Sequence, residues 1–424
     1  MTKQQAIQLL KEKYLSNMKQ DSELFVGIEL EYPIVEIYGN KTNTEVTKDL
    51  FRTLAKRSDF EVEKIDDDNN PIQLIQRNTK DRILFELSYN TIEFAFERAH
   101  SINEVSERFE EYLKVIQPIL QEQGHEIQGH GIHPQWKHND NRPVKNERYK
   151  MLMAFLAMKD TGMQTHSFPT YGAFICGNQV QLDVKRDNYI RIINAFNKIE
   201  AVKAYLFSNS EFSEAAWDTK VSRDIFWEKS LHGYFKENVG IYPKEYKSEE
   251  EFFNNLVKTA IFTATREGKS YYFKPIRVKD YLEQKEIKAY SADGNEKNIK
   301  PMKEDLKQHR SYQFQDLTAR GTVELRSVCT QSLETTFAPI AFELGLFVQL
   351  EKLENYLKSC TFFEKENPDY RELRKKYSKK VLSNEEKEII QSISRDLIDI
   401  ARKGLIKRNF GEEKFLVINK ELDL

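Results

Sequence analysis

The sequence has few of the features that mark an extracellular, membrane-spanning or zinc-binding protein. Its 424 residues include only three cysteines, Cys176, Cys329 and Cys360, without CxxC spacing, so neither a disulfide framework nor a zinc site is predicted. No segment approaches the roughly 18 uninterrupted apolar residues of a membrane span, and the charged segment MTKQQAIQLLKEKYL is no signal peptide. We therefore expect a soluble, cytoplasmic protein with no membrane partner.

An excess of either charge is also missing. Lys and Arg number 65 and Asp and Glu number 67, which gives a formal net charge of −2. A nucleic-acid-binding surface normally shows as a clustered excess of basic residues. The balance predicts that no nucleic acid is a partner of this protein.

Common nucleotide-binding and hydrolase motifs are absent as well. The sequence contains no GxGxxG, GxSxG or HExxH pattern, and the segment Gly268–Ser270 fails as a phosphate-binding loop because the earlier glycine would fall at Thr263. We interpret Gly268–Ser270 as a hairpin turn. The spacing of His125, His130 and His133 matches no standard metal site, so structural or loop roles are favoured for them.

Apolar periodicity predicts an α+β protein. Helices are predicted over residues 2–20, 41–58, 101–124, 147–161 and 188–207, and through most of a C-terminal part from about 333 to 424. Strands are predicted over residues 24–35, twice within 82–96, and over 178–184 and 311–328. Two polar, Lys-rich segments, 236–248 and 284–308, are predicted to be loops. Without a linker or a regular βαβ rhythm, we expect one catalytic domain over 1–424, built on a mostly antiparallel sheet with helices on one face.

The polar residues inside these predicted strands are the most informative feature of the sequence. Successive side chains of a strand point to opposite faces, so residues two apart share a face at about 6–7 Å. This alternation puts long polar side chains on one face of four separate strands: Glu29 and Glu31, then Glu93, then Gln179 and Gln181, then Glu324 and Arg326. An ordinary half-exposed sheet also alternates, but it carries a mixture of Thr, Lys, Ser and Arg rather than mainly carboxylates and amides.

Carboxylates gathered in this way need a positive charge. Glu29, Glu31, Glu93 and Glu324 would repel one another if the sheet brought them together, because like charges in a partly buried site are costly. Hard divalent cations require several oxygen ligands, and magnesium usually keeps phosphate oxygens in its shell. The pattern therefore indicates a carboxylate-lined cation site, with an exposed acidic sheet as the alternative.

Several segments, in this order along the chain, resemble the glutamate–cysteine ligase family, in its bacterial and plant-like branch. The resemblance rests on Val26–Glu31 (G-x-E-x-E), the pair Glu86 and Glu93, Arg148-Tyr149, Gln179–Asp183 (Q-V-N-L-D), Leu206–Ser210 with Ser222–Trp227, Arg320 with Glu324–Ser327 (R…E-L-R), and a weaker match from Gly404 to Glu413. None of these motifs is specific alone; their common order carries the resemblance, which covers about residues 24–415.

The resemblance implies a glutamine synthetase-like catalytic core that binds ATP and more than one Mg²⁺ on the polar face of its sheet. It also implies a reaction in which ATP phosphorylates the γ-carboxylate of glutamate and the amine of cysteine attacks the acyl phosphate. The implied metal ligands are Glu29, Glu31, Glu93 and Glu324. The other implied roles are catalysis by Arg326 and Glu86, binding of the nucleotide by Gln179 and Arg326, and binding of substrate by Arg223, Gln181 and Arg320.

The sequence departs from the family pattern at three places. Leu87–Ile92 replaces a Gly-rich turn, Gln181 replaces the asparagine of Q-V-N-L-D, and Glu211 replaces the proline of an N-S-P run. The acceptor amine is therefore less firmly implied than ATP and magnesium. A related ligase with another carboxylate or amine, and a non-catalytic homologue, remain alternatives. For the charged segment 361–382, the sequence leaves three alternatives: a lid, a surface helix and a partner contact.

Overall fold

The computed structural model describes residues 3–19, 23–159, 161–364 and 369–418. Its helices are α1 (Lys3–Leu15), α2 (Thr44–Ala55), α3 (Ile102–Gln121), α4 (Glu147–Leu156), α5 (Tyr189–Lys198), α6 (Glu200–Leu206), α7 (Ser222–Glu228), α8 (Glu249–Leu256), α9 (Val278–Tyr281), α10 (Ala338–Val348), α11 (Leu350–Ser359), α12 (Thr361–Glu364), α13 (Tyr370–Tyr377) and α14 (Asn384–Arg408). Its strands are β1 (Val26–Glu36), β2 (Phe60–Ile65), β3 (Pro71–Gln76), β4 (Arg82–Phe85), β5 (Thr91–Ala95), β6 (His125–Ile127), β7 (Gly177–Asp183), β8 (Val239–Gly240), β9 (Ala260–Arg266), β10 (Lys269–Arg277), β11 (Ile287–Ser291), β12 (Glu296–Ile299), β13 (Tyr312–Gln313), β14 (Gln315–Leu317) and β15 (Thr322–Cys329).

A large antiparallel sheet organises the described part of the chain. Its strand order is β14-β15-β7-β1-β5-β4-β3-β2, and β6 pairs with the end of β1. Every pairing in this sheet is antiparallel. A separate four-stranded sheet has the order β12-β11-β10-β9, and β8 and β13 form a short parallel pair. The predicted α+β class with a mostly antiparallel sheet is confirmed.

One face of the large sheet is buried under helices. Val26, Ile28, Leu30 and Tyr32 alternate along β1 and are at most 1% exposed. The ring of Phe109 from α3 packs against Tyr32, with 5.6 Å between ring centroids. Burial of each such side chain stabilises the fold by about 1.5–3 kcal/mol, so this face of the sheet forms part of the core. The alternating residues are thereby left on the opposite face.

Several predicted segments differ from the structure. The predicted loop 284–308 contains the hairpin β11–β12, whose second strand exposes Glu296, Lys297 and Asn298, so it lacks the buried alternation by which strands are recognised. The predicted helix 188–207 is two helices, α5 and α6, interrupted at Ile199. The predicted N-terminal helix 2–20 ends at Leu15, within the residues described.

The motifs that were set aside in the sequence have structural roles. Glu267 and Gly268 adopt left-handed φ values of 53° and 78° between β9 and β10, which confirms the hairpin turn. His133 is fully buried, and its Nε2 lies 2.9 Å from the carbonyl oxygen of Ile34. His125 Nε2 accepts a hydrogen bond of 3.0 Å from the backbone of Asn43. These contacts account for both imidazoles without a metal.

Within the described residues, the C-terminal part is mostly helical from Leu333 onward, as predicted; residues 365–368 and 419–424 of that part lie outside them. Gly345 of α10 and Gly404 of α14 let these two helices approach closely, since a Cβ at Gly404 would lie 2.0 Å from the carbonyl oxygen of Gly345. Within the residues that the structure describes, no single helix has the length and apolar character needed to cross a membrane. The segments Leu333–Val348 and Leu350–Ser359 would meet those two criteria only when taken together, and they are bent by 88°.

Candidate active site

Four neighbouring strands, β5, β1, β7 and β15, bring the predicted polar residues together on the face of the sheet away from the core. The register places Glu31 opposite Glu93 and Glu29 opposite Gln179. It also places Glu324 opposite Gln181. The cross-strand distance between such partners is about 4.5–5.5 Å, so their side chains form one continuous surface.

Backbone and amide groups of β7 hold the two carboxylates of β1. Gln179 Nε2 donates to Glu31 Oε1 at 3.1 Å, and Gln181 Nε2 donates to Glu29 Oε1 at 3.0 Å. The backbone amide of Gly177 donates to Glu31 Oε2 at 2.7 Å. These bonds orient the carboxylates but leave lone pairs on every oxygen available for a cation or a substrate.

The carboxylates raise one another's pKa values. Burial, followed by the charge of Glu324, raises the pKa of Glu29 to about 7. Burial and Glu86 raise the pKa of Glu31 to about 8. The pKa of Glu93 is raised well above its usual value by burial and by Glu86, Glu29 and Glu31. A bound cation would relieve this repulsion, because it favours the ionised form of each group.

The donor set fits magnesium shared with phosphate. Gln179 Oε1 is a buried oxygen without a hydrogen-bond partner, and it lies beside the carboxylate of Glu31. No three acidic, histidine or cysteine side chains within the described ranges converge closely enough to hold one ion by themselves. Magnesium is usually bound by one or two carboxylates and completes its shell with water and substrate phosphates. A row of carboxylates spread over several strands suits ions of that kind.

A partly open cavity with about 750 Å³ of empty space, which includes solvent at its mouth, lies beside this row of carboxylates; we refer to it as the enclosed cavity. Its polar lining includes Glu31, Glu86, Gln179, Arg223 and Arg326, and its apolar lining includes Leu87, Leu152, Leu156, Tyr171, Ile175, Trp227, Tyr312 and Phe314. Arg223 Nε, Arg326 Nη1 and Gln179 Oε1 are buried without a partner. Buried polar groups are rarely left unpaired, so these atoms mark a site for a polar ligand.

A second cavity of about 1060 Å³ lies on the same face, around Glu29 and Gln181. We call it the basic cavity because four cationic side chains line it: Lys19, Arg82, Arg98 and Arg320. The predicted substrate residues therefore divide between two places. Arg223 lines the enclosed cavity, whereas Gln181 and the exposed Arg320 line the basic cavity.

Sequence reasoning missed three groups near the site. Asp316 on β14 lies opposite Glu324, and burial, with Glu324 nearby, raises its pKa to about 6. Tyr312 lies between two guanidinium groups, with Arg310 at 5.2 Å and Arg326 at 5.8 Å from its ring centre. Asp316 follows the same two-residue alternation and could have been found. Arg310 lies outside any strand, and no sequence pattern indicates it.

Comparisons with known proteins were made on the sequence and on the fold. The model of glutamate-cysteine ligase family 2 matches residues 25–415. The search of curated proteins finds no significant match.

Three solved structures that align with most of this chain are distant in sequence. A glutamate–cysteine ligase from Francisella tularensis in complex with AMP is 12% identical, with a TM-score of 0.44 over 94% of this chain and 88% of that one. A glutamine synthase homologue is 9% identical, with a TM-score of 0.31 over 97% and 73%. A bifunctional glutathione synthetase from Pasteurella multocida is 9% identical, with a TM-score of 0.34 over 97% and 48%.

Proposed function

The chain belongs to glutamate-cysteine ligase family 2, and from this membership we propose that it is an ATP-dependent ligase joining the γ-carboxylate of glutamate to the amine of cysteine. The observation that carries the proposal is the continuous row of carboxylates and amides on one sheet face, beside a cavity with unpaired arginine atoms. Such a reaction runs through an acyl phosphate, which needs cations, positioned donors and exclusion of water more than covalent help.

The four glutamates of the sheet face are proposed to hold more than one magnesium ion. Glu29 and Glu31 lie on β1, Glu93 on β5 and Glu324 on β15, so no ion would need more than two of them. When bound, magnesium would offset the negative charge of the triphosphate and of the attacking carboxylate. Gln179 Oε1 is an additional oxygen that could bind a cation or accept a hydrogen bond from a group that contacts the phosphates.

The two cavities suit different substrates. The four cations of the basic cavity lie beside three carboxylates, Glu29, Glu97 and Asp183, and one of the cations, Arg82, is paired with Glu63. With magnesium bound at the carboxylate row, the remaining cations would suit a polyphosphate, so we assign the phosphates of ATP to that side. The enclosed cavity carries Arg223 and Arg326 above Glu31, which suits amino-acid carboxylates and the acyl phosphate. Water is excluded by its apolar walls, which protects an acyl phosphate from hydrolysis.

The proposed chemistry assigns a step to each polar group. The γ-phosphoryl group of ATP passes to an oxygen of the glutamate γ-carboxylate and releases ADP. Arg326, whose Nη1 is unpaired, stabilises the charge on that phosphoryl group with its planar fork. The acceptor nitrogen then attacks the acyl carbon and expels inorganic phosphate, while Glu86 accepts a proton from the nitrogen. Arg223 holds a substrate carboxylate.

A ligase of the same chemistry with a different acceptor is the second candidate. Leu87, which opens the segment that departs from the family pattern, lines the enclosed cavity, so the departure falls where an acceptor would lie. A non-catalytic role is disfavoured because all four glutamates and Arg326 are retained. A cytoplasmic location is part of the proposal, since the reaction consumes ATP.

Acceptor-dependent phosphate release tests the function. Purified protein is incubated with ATP, magnesium, glutamate and each standard amino acid in turn, and phosphate is measured beside the mass of the product. We expect release with cysteine and a product of γ-glutamylcysteine mass. EDTA and Glu29→Ala should each abolish the release, because the carboxylate row would lose its cation.

The control is Glu61→Ala, which removes an exposed carboxylate of β2 far from the row and should leave the rate unchanged. Phosphate release with another amine, and none with cysteine, would support the mechanism but show that cysteine is not the acceptor. No release with any acceptor would contradict the proposal.

A further inference from the structure

One more polar atom is unpaired in the enclosed cavity, and neither the family pattern nor the proposed chemistry uses it. His232 lines this cavity and is 1% exposed, and its Nε2 has no hydrogen-bond partner. An orphaned nitrogen of this kind costs about 1–3 kcal/mol unless a ligand satisfies it. Because His232 lines the enclosed cavity, the ligand that satisfies Nε2 would be a molecule bound in that cavity.

The hydrogen-bond chain behind His232 determines which nitrogen carries the proton. Ser230 Oγ donates its one hydrogen to the carbonyl oxygen of Trp227 at 2.9 Å. The hydroxyl of Tyr171 lies 3.1 Å from Ser230 Oγ and 2.7 Å from His232 Nδ1; since the hydrogen of Ser230 is used at Trp227, Tyr171 donates its own hydrogen to Ser230 Oγ. Nδ1 then carries the hydrogen and donates it to the oxygen of Tyr171, and Nε2 is left as an acceptor. Burial, together with Arg310 and Arg326, lowers the pKa of His232 to about 3, so the ring is neutral.

Aromatic rings surround this acceptor. The ring centre of His232 lies 4.2 Å from that of Tyr312 and 4.9 Å from that of Trp227, with Phe155 and Phe262 at 5.7 and 5.6 Å. A group bound against it must therefore be apolar in most directions and must donate one hydrogen bond. A thiol fits best, since sulfur also makes favourable contacts at the edges of aromatic rings, and a hydroxyl fits next.

We propose that His232 determines acceptor specificity by accepting at Nε2 a hydrogen bond from the side chain of the acceptor amino acid, which is short, uncharged and ends in a thiol or hydroxyl. This inference rests on the proposed ligase function and adds a residue and a recognition rule to it. A site built to accept such a bond rejects the analogue without the heteroatom, because the buried Nε2 is then left unpaired.

Paired acceptors test the rule. The wild-type ratio of kcat/KM for cysteine over 2-aminobutyrate, and for serine over alanine, is compared with the ratios of two variants. We expect His232→Leu to lower both ratios by roughly tenfold, because the alkyl acceptors no longer leave a buried acceptor unpaired. His232→Gln should retain most of the preference, since the glutamine amide oxygen can take the place of Nε2.

A matched control is His133→Gln, which alters another buried histidine away from the enclosed cavity and should leave the ratios unchanged. Unchanged ratios in an active His232→Leu enzyme would overturn the inference and leave the ligase function intact. An increase in the KM for ATP with unchanged ratios would overturn it too and assign this end of the cavity to the nucleotide. No phosphate release by the wild type with any acceptor would overturn both proposals.

Discussion

At the residue scale, Gly177 matters for two reasons at once. Its backbone amide donates to Glu31, and its missing side chain makes room for the guanidinium of Arg223. A Cβ at this position would lie 2.3 Å from Arg223 Nη2. Arg223 Nη1 also donates to the carbonyl oxygen of Val328 at 2.7 Å. The glycine thus determines where the guanidinium of Arg223, which is proposed to bind a substrate carboxylate, can lie.

Gly177→Ala should therefore impair binding more than folding. The contact is with the end of a side chain, which can move aside, so we expect the melting temperature to fall by only a few degrees. The displaced guanidinium should increase the KM for the substrate it holds and lower kcat/KM by roughly 100-fold, as misplacement by about 1 Å can do. Steady-state kinetics measure this. A double variant with Arg223→Ala should lose no more than Arg223→Ala alone; an additive loss would contradict the explanation.

At the scale of elements, α13 contacts both elements that carry the arginines of the enclosed cavity: α7, with Arg223, and β15, with Arg326. Arg374 is 3% exposed, and its Nε and Nη2 donate to the two carboxylate oxygens of Asp224 on α7, at 2.7 and 3.0 Å. Its Nη2 also donates to the carbonyl oxygen of Ser327 on β15 at 3.1 Å, and its Nη1 pairs with Glu200 on α6. Asp224 follows Arg223, and Ser327 follows Arg326. The described part of segment 361–382 contains α12 and α13, and α13 is a surface helix that buries Tyr370, Arg374 and Tyr377 and exposes its opposite side.

Arg374→Lys should disturb both arginines. Lysine keeps the charge but cannot reproduce the fork, so Asp224 and Ser327 lose a partner. We expect the free energy of unfolding to fall by about 2–4 kcal/mol and kcat/KM to fall by roughly tenfold or more. Denaturant unfolding and steady-state kinetics measure the two effects.

The control for this variant is Arg108→Lys, which breaks a comparable buried pair with Asp81 on the helix-covered side of the sheet. Arg108→Lys should lower the free energy of unfolding without changing kcat/KM. Equal kinetic losses in both variants would show that Arg374 acts only through general stability.

At the scale of the whole molecule, a buried charge network links the sheet to the helical C-terminal part. Lys203 on α6 lies 2.7 Å from both Glu200 and Glu343, and it is fully buried. Arg374 and Asp224 complete the network. With Glu343 protonated, two positive and two negative charges balance. Burial raises the pKa of Glu343 to about 7 in spite of Lys203, so the neutral form persists well above the usual range of a glutamate.

This pKa predicts a pH dependence of folding. A carboxyl with a raised pKa binds a proton more tightly in the folded state, so its stabilising contribution is present at low pH and is lost as pH rises from about 4.5 to 7. Relative to Glu343→Gln, which does not titrate, the wild type should lose roughly 3 kcal/mol of unfolding free energy between pH 5 and pH 8. Denaturant unfolding of both proteins across this range measures the difference. A constant difference would mean that Glu343 is ionised throughout.

The sequence by itself determined the class of the fold and most of the carboxylate row. Strand alternation is a local property, so Glu29, Glu31, Glu93 and Glu324 could be assigned to one face before any pairing was known. The hairpin β11–β12 escaped because β12 is exposed at Glu296, Lys297 and Asn298 and so has no buried alternation, while the alternation in β11 is limited to Ile287 and Ala289.

Only the tertiary structure decided which strands are neighbours, and therefore which groups share a cavity. The separation of Arg223 from Arg320, the unpaired Nε2 of His232 and the contacts of Arg374 all depend on segments far apart in the chain. No local period encodes such contacts, because they arise from the packing of α7, α13 and β15 against one another.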